Sequence, residues 1–171
     1  MNSVIIYNFI RFFALLFVQV VLLKNMSIYN LNIPLPYVLF IFLLPFKTPN
    51  WLLFFLSFCM GISVDIFSDT LGLHATACTI IAFFRIFYLS ITVQNDPSET
   101  DITPNLSTMR FRWFFFYTLF LTLLHHFFLF FFEVFDVSDM ANILTRVAVS
   151  TSFTLLLIFT TELLFYNKKA R

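Results

Sequence analysis

Residues 61–77 read GISVDIFSDTLGLHATA and set two carboxylates, Asp65 and Asp69, shortly before an imidazole, His74. Both glycines of the 171-residue chain, Gly61 and Gly72, lie in the same stretch. Three chemistries could use such a set. A metal site is poorly served, because two carboxylates and one imidazole face each other across a turn with no HExxH and no further ligand nearby. A proton relay would pair Asp65 with His125, His126 or Gln19, and His126 lies seven residues before Glu133, on one helix face. The plain reading is a set of polar contacts that lock helix packing and a tight turn. Gly61 then offers a small surface for a neighbouring helix, and Gly72 turns the chain with positive φ. Ser68 and Asp69 bond local backbone there, and Thr70 begins or caps the next helix.

Three further charges fall inside apolar runs: Arg11, Arg85 and Glu162. Charged groups at such depth are costly and mark candidate sites. At about 1.5 Å per helical residue all three lie toward the same membrane face. Two arrangements would satisfy them. Glu162 pairs with Arg11 or Arg85, or each arginine extends to the headgroups. Enzyme motifs are missing: a chain with two glycines holds no GxSxG, P-loop or GxGxxG. No serine sits in a Gly-rich turn, so the sequence predicts a protein without catalytic residues, cofactor or metal.

The elements that position these residues follow from composition. Apolar residues make up 60% of the chain and charged residues 11%, against about 25% charged in a soluble domain. Such a chain cannot cover its apolar surface by folding on itself, and it reads as an integral membrane protein. A net charge of +1 says nothing about nucleic acid, and no basic run is long enough to suggest it. Cys59 and Cys78 sit within apolar segments and read as small buried hydrophobes. Arg11 interrupts the first apolar run and no small-x-small site follows, so that run reads as a retained helix rather than a signal peptide.

A helix needs about 20 apolar residues to cross the hydrocarbon core. The pattern predicts an all-α, polytopic protein with a single membrane domain over 1–171. Its six transmembrane helices fall at about 4–23, 34–46, 51–67, 73–93, 113–132 and 147–166. Pro34, Pro36 and Pro45 bound the short second segment, and the count falls to five if that segment is re-entrant. With six crossings, Lys47, Arg110, Arg112, Lys168, Lys169 and Arg171 share one side, against Lys24, Arg146 and the acidic run 133–139 on the other. The positive-inside rule then places both termini and the polar loop 94–112 in the cytoplasm.

Gly61-Ile-Ser-Val-Asp65, then Gly72-Leu-His-Ala75, then Ala82-Phe-Phe-Arg85, resembles the rod shape-determining protein MreD family; Gln19 in the first segment adds weaker support. The likeness in hydropathy covers almost the whole chain and the likeness in motif about residues 61–85, while the 28 phenylalanines depart from the family's Leu-rich texture. The resemblance implies a bacterial inner-membrane component of the cell-elongation machinery, the elongasome. Such a protein binds MreC and helps couple MreB filaments to the peptidoglycan synthases that maintain cell shape. It also implies a fold similar to the substrate-binding subunits of energy-coupling-factor transporters. Gly61, Asp65, Gly72, His74 and Arg85 are the family-signature positions, for helix packing or partner contact. The kinship with vitamin-uptake proteins makes a small-molecule-binding membrane subunit the alternative function. Membrane lipid is a partner on either reading, and a homodimer stays open.

Overall fold

The computed structural model describes residues 2–24, 34–93 and 102–166. Residues 94–101 of the expected polar loop and the basic residues Lys168, Lys169 and Arg171 lie outside that range. The first helix, α1, runs over Asn2–Phe17 and continues as a π-helical turn over Val18–Leu23. The second, α2, is short: a 3-10 turn at Pro36–Val38 leads into Leu39–Phe42. Four long helices follow, α3 at Asn50–Ser68, α4 at Leu73–Thr92, α5 at Phe111–Val134 and α6 at Met140–Leu164.

Five of these helical stretches are long and apolar enough to cross a membrane: Val4–Leu23 and the four long helices. The chain is therefore a multi-pass, all-helical membrane protein. Helix α6 begins seven residues ahead of its expected start at 147, and Arg146 sits within it. The guanidinium is accommodated because it pairs with Glu133 at 2.7 Å and lies 4.5 Å from the centre of the Phe130 ring.

Helix α2 is the exception in length. Seven helical residues rise only about 10–14 Å, against about 30 Å of hydrocarbon. Prolines set the limit, because Pro36 opens the helix and Pro45 closes the run. Lipid cannot satisfy the open backbone of so short an element, and protein surrounds it instead. Every residue from Tyr37 to Leu44 is at most 3% exposed. The segment runs from the middle of the bundle, beside Thr154 midway along α6, toward one end of it. Near its start, the Leu35 N–H donates to Thr154 Oγ1 at 2.9 Å. Just past its end, the Phe46 N–H donates to Ile102 O at 3.0 Å.

The long helices pack around it as antiparallel neighbours, α3 on α4, α4 on α5 and α5 on α6. Aromatic rings zip α4 to α5. Phe84 stacks on Phe128 with centroids 6.3 Å apart, and Tyr88 meets Tyr117 at 5.4 Å. Helix α1 stands at the side. Ile5, Phe9, Phe13 and Phe17 are each about half exposed or more, as expected of a face turned to lipid. It is tied on by Phe12, edge-on to Phe40 at 5.2 Å, and by Lys24, which donates to Phe67 O.

Candidate functional site

The turn between α3 and α4 is built by two left-handed residues. Asp69 ends α3 with φ 57° and ψ 35°, its N–H donating to Asp65 O. Gly72 precedes α4 with φ 82°, where an L side chain would be strained even though the space around it is open. Leu71, at the tip, is fully exposed. Thr76 returns to this turn twice, with N–H and hydroxyl both donating to Gly72 O, at 3.0 and 2.8 Å.

The first turn of any helix carries N–H groups with no partner inside the helix. Here the side chain of Asp65, one helix earlier, supplies the acceptors. Its Oδ1 accepts from the His74 N–H at 3.0 Å and its Oδ2 from the Ala75 N–H at 2.9 Å. Thr70 adds a hydroxyl donor to Oδ1 at 2.5 Å. The carboxyl, 2% exposed, thus sits on the positive end of the α4 dipole. Thr70 was the expected cap; it acts instead by holding the carboxyl that does the capping.

This geometry requires α3 and α4 to approach closely, and Gly61 permits it. A Cβ at Gly61 would lie 2.4 Å from Ala75 Cα and 2.6 Å from both Ala75 N and His74 O. These are backbone atoms, so no rotamer change relieves the clash. Gly61, Asp65, Gly72 and the backbone of His74 are therefore one joint. Asp69 is exposed and outside it.

The His74 ring points the other way, into the core. Its Nδ1 lies 2.7 Å from Tyr37 Oη, which lies 2.9 Å from His125 Nε2. One phenol carries one proton, so Tyr37 donates to one imidazole and accepts from the other. His125 Nδ1 is buried without a partner. His126 belongs to a separate chain of bonds. Its Nδ1–H donates to Thr122 O at 2.8 Å, leaving Nε2 to accept from the Thr154 hydroxyl at 3.3 Å. The relay considered from the sequence is not assembled: Asp65 bonds no imidazole, and the Gln19 Oε1 is buried without a partner. Among the described residues, no three His, Cys, Asp or Glu side chains converge as metal ligands.

A second polar cluster closes the other end of α2, where the last carbonyls of a helix lack donors. Tyr117 donates to Phe42 O at 2.9 Å, and Arg11 donates to Leu43 O at 3.0 Å. Arg85 donates through Nη2 to Leu44 O and, at 3.4 Å, to Pro45 O. Its Nε–H donates to Tyr117 Oη at 3.1 Å. Four successive carbonyls are thereby satisfied from α1, α4 and α5, and two cations sit at the negative end of a helix dipole.

The expected ion pairs of Glu162 with Arg11 or Arg85 do not form. Glu162 Oε2 accepts instead from the Leu106 N–H at 3.0 Å, and among the described residues the one side-chain ion pair is Arg146–Glu133. The reason is competition. The Leu44 carbonyl, buried at the end of α2, has no water to turn to, and the Arg85 guanidinium serves it while its Nε–H serves Tyr117. Headgroup contact is likewise excluded for Arg85, which is 1% exposed.

Sequence patterns did not single out Tyr37, Tyr117 or Thr154. The signal was indirect: a proline-bounded segment too short to cross alone needs partners for both of its ends. No protein-family model matches the chain, and no curated protein or solved structure matches it either.

Proposed function

We propose that the chain is a non-catalytic scaffold of the bacterial cell-elongation complex, of the MreD type. In this role it binds MreC and helps couple MreB filaments to lateral-wall peptidoglycan synthesis, and thereby maintains cell shape. The observation that carries the proposal is how the signature residues are used. Both oxygens of Asp65 hold the start of α4, Gly61 lets α3 and α4 touch, Gly72 turns the chain, and Arg85 closes α2. Residues engaged in this way shape a surface rather than react.

In this proposal α2 counts as a sixth passage, buried in protein, and the fold is of the energy-coupling-factor subunit type. The bias of basic residues then puts both termini on the cytoplasmic side of the inner membrane. Co-purification with MreC in mild detergent tests the role. A stable complex that Asp65→Leu or Gly72→Leu disrupts supports it; failure of the intact chain to retain MreC removes it. One observation favours the alternative, a small-molecule-binding subunit. Ser150 Oγ, Thr151 Oγ1 and His125 Nδ1 are buried without partners, as donors and acceptors awaiting a polar ligand would be. A vitamin-sized molecule released on denaturing the purified protein would move the assignment there.

A further inference from the structure

Tyr37 at the start of α2 joins His74, the second residue of α4, to His125 in the middle of α5. Its Oη lies 2.7 Å from His74 Nδ1 and 2.9 Å from His125 Nε2. Tyr37 and His125 are wholly buried, while His74 is 8% exposed and adjoins the turn whose tip, Leu71, is fully exposed. The phenol has one proton to give, so both bonds run in the same direction. Where Tyr37 donates to His74, the proton of His74 sits on Nε2 and His125 donates from its own Nε2. Where Tyr37 donates to His125, His74 donates from Nδ1 and the proton of His125 sits on Nδ1. The two rings therefore share one tautomer, and neither changes alone. With both neutral, the first arrangement is favoured. The second strands an N–H at His125 Nδ1, which is buried without a partner, and such donors are rarer than bare acceptors. In the first, the His125 Nε2–H faces Cys78 Sγ as well, at 4.0 Å.

We propose that this unit is a proton-operated switch: a proton taken up by His74 beside the turn reverses the Tyr37 hydroxyl and changes the tautomer of His125 in the core. An imidazolium carries protons on both nitrogens and accepts none. His74 Nδ1 must then donate to Tyr37 Oη, and the phenol proton is left with His125 Nε2 as its acceptor. The charged unit holds one proton more than the neutral one, gained by His74 from water at the turn. His125 keeps its proton count, giving up the proton on Nε2 and regaining one on Nδ1 by exchange with water as the core opens. Position selects His74 as the ring that takes the charge. The Asp65 carboxylate from α3 lies on its backbone N–H at 3.0 Å. His125 instead sits beside a second buried imidazole, His126, with centroids 5.5 Å apart. Cys78 on α4 borders His125, Lys24 from the first helix is engaged at Phe67 O, and α6 contributes the uncharged Thr154, bonded to His126.

The test uses the full chain in detergent with its histidines labelled by the heavy nitrogen isotope, and follows the ring nitrogens by NMR from neutral to acid pH. The chain has three histidines, so single substitutions assign the signals. At neutral pH both His74 and His125 carry their proton on Nε2. As His74 becomes charged, His125 converts to the Nδ1–H form, its converted fraction following the charged fraction of His74 one for one. His126 is the internal reference, because its Nδ1–H is held by Thr122 O at 2.8 Å and its tautomer stays constant. Tyr37→Phe uncouples the rings: His74 still titrates and His125 no longer follows. A His125 tautomer that stays constant in the intact chain while His74 charges overturns the proposal. So do opposite tautomers on the two rings at neutral pH, and a His74 that takes up no proton before the chain unfolds. These readings come from the intact chain and hold whether or not any variant folds.

Discussion

Replacing Asp65 with alanine removes the acceptor for two backbone N–H groups at the start of α4 and for the Thr70 hydroxyl. A stranded buried donor costs about 1–3 kcal/mol, so the two N–H groups set a range of about 2–6 kcal/mol. Water reaching the rim of the turn beside exposed Leu71 offsets part of this, which brings the expected loss to about 2–4 kcal/mol. Asparagine keeps one acceptor oxygen, turns an N–H₂ toward the other donor and gives up the favourable charge on the helix dipole, for a loss of about 1–3 kcal/mol. At about 2–4 °C per kcal/mol for a chain of this size, alanine lowers the melting temperature by roughly 4–16 °C and asparagine by less. Cys78 provides the assay. Its thiol is fully buried one turn beyond Ala75, so with the half-buried Cys59 replaced by serine throughout a fluorogenic maleimide in detergent follows the opening of this joint on heating. Reactivity at Cys78 in the alanine variant that rises within 1 °C of the intact chain would refute the capping argument. So would an asparagine variant less stable than the alanine one.

Gly61→Ala is expected to cost at least about 1–3 kcal/mol by overpacking. The double variant Gly61→Ala/Ala75→Gly does not recover it in the same melt, because the clash is with Ala75 Cα and N rather than its methyl. Gly72→Ala costs about 1–2 kcal/mol through its positive φ, and Gly72→Asn costs less, since asparagine tolerates that region; equal melting temperatures for the two would contradict the backbone reading. Exchange of Arg85 and Glu162 gives no rescue over the single reversals, whereas a double variant that melts above both singles would show that the two side chains pair. Tyr37→Phe leaves His74 Nδ1 and His125 Nε2 without their bridge and loses about 2–4 kcal/mol, read as a lower midpoint in thermal unfolding followed by circular dichroism.

The long helices and the joint were legible in the sequence for different reasons. Long, predominantly apolar runs mark α3, α4 and α5 because lipid demands length, and Gly61 and Gly72 stand out because phenylalanine fills so much of the rest. The partner of Asp65 was not legible. A cap normally lies within a few residues of the N–H it serves, and this one acts across a turn, nine and ten positions away. Arg11 and Arg85 were placed at a sensible depth, yet depth cannot show that backbone carbonyls compete with Glu162 for them. The link from Tyr37 to His125 spans 88 positions, and no local pattern encodes it.

The shielding of α2 has a consequence for how the protein is made. Each long helix is apolar enough to settle in lipid on its own, as the first stage of membrane folding requires. Helix α2 has no such resting place, because among the described residues the carbonyls of Phe42 and Leu44 find their side-chain donors on Tyr117 and Arg85. Those two residues are synthesised after it. The segment therefore leaves the ribosome before its own surroundings exist, and its final position is taken only once α4 and α5 have been delivered. Order of synthesis and order of assembly diverge in this chain, and damage to Arg85 or Tyr117 falls first on biogenesis.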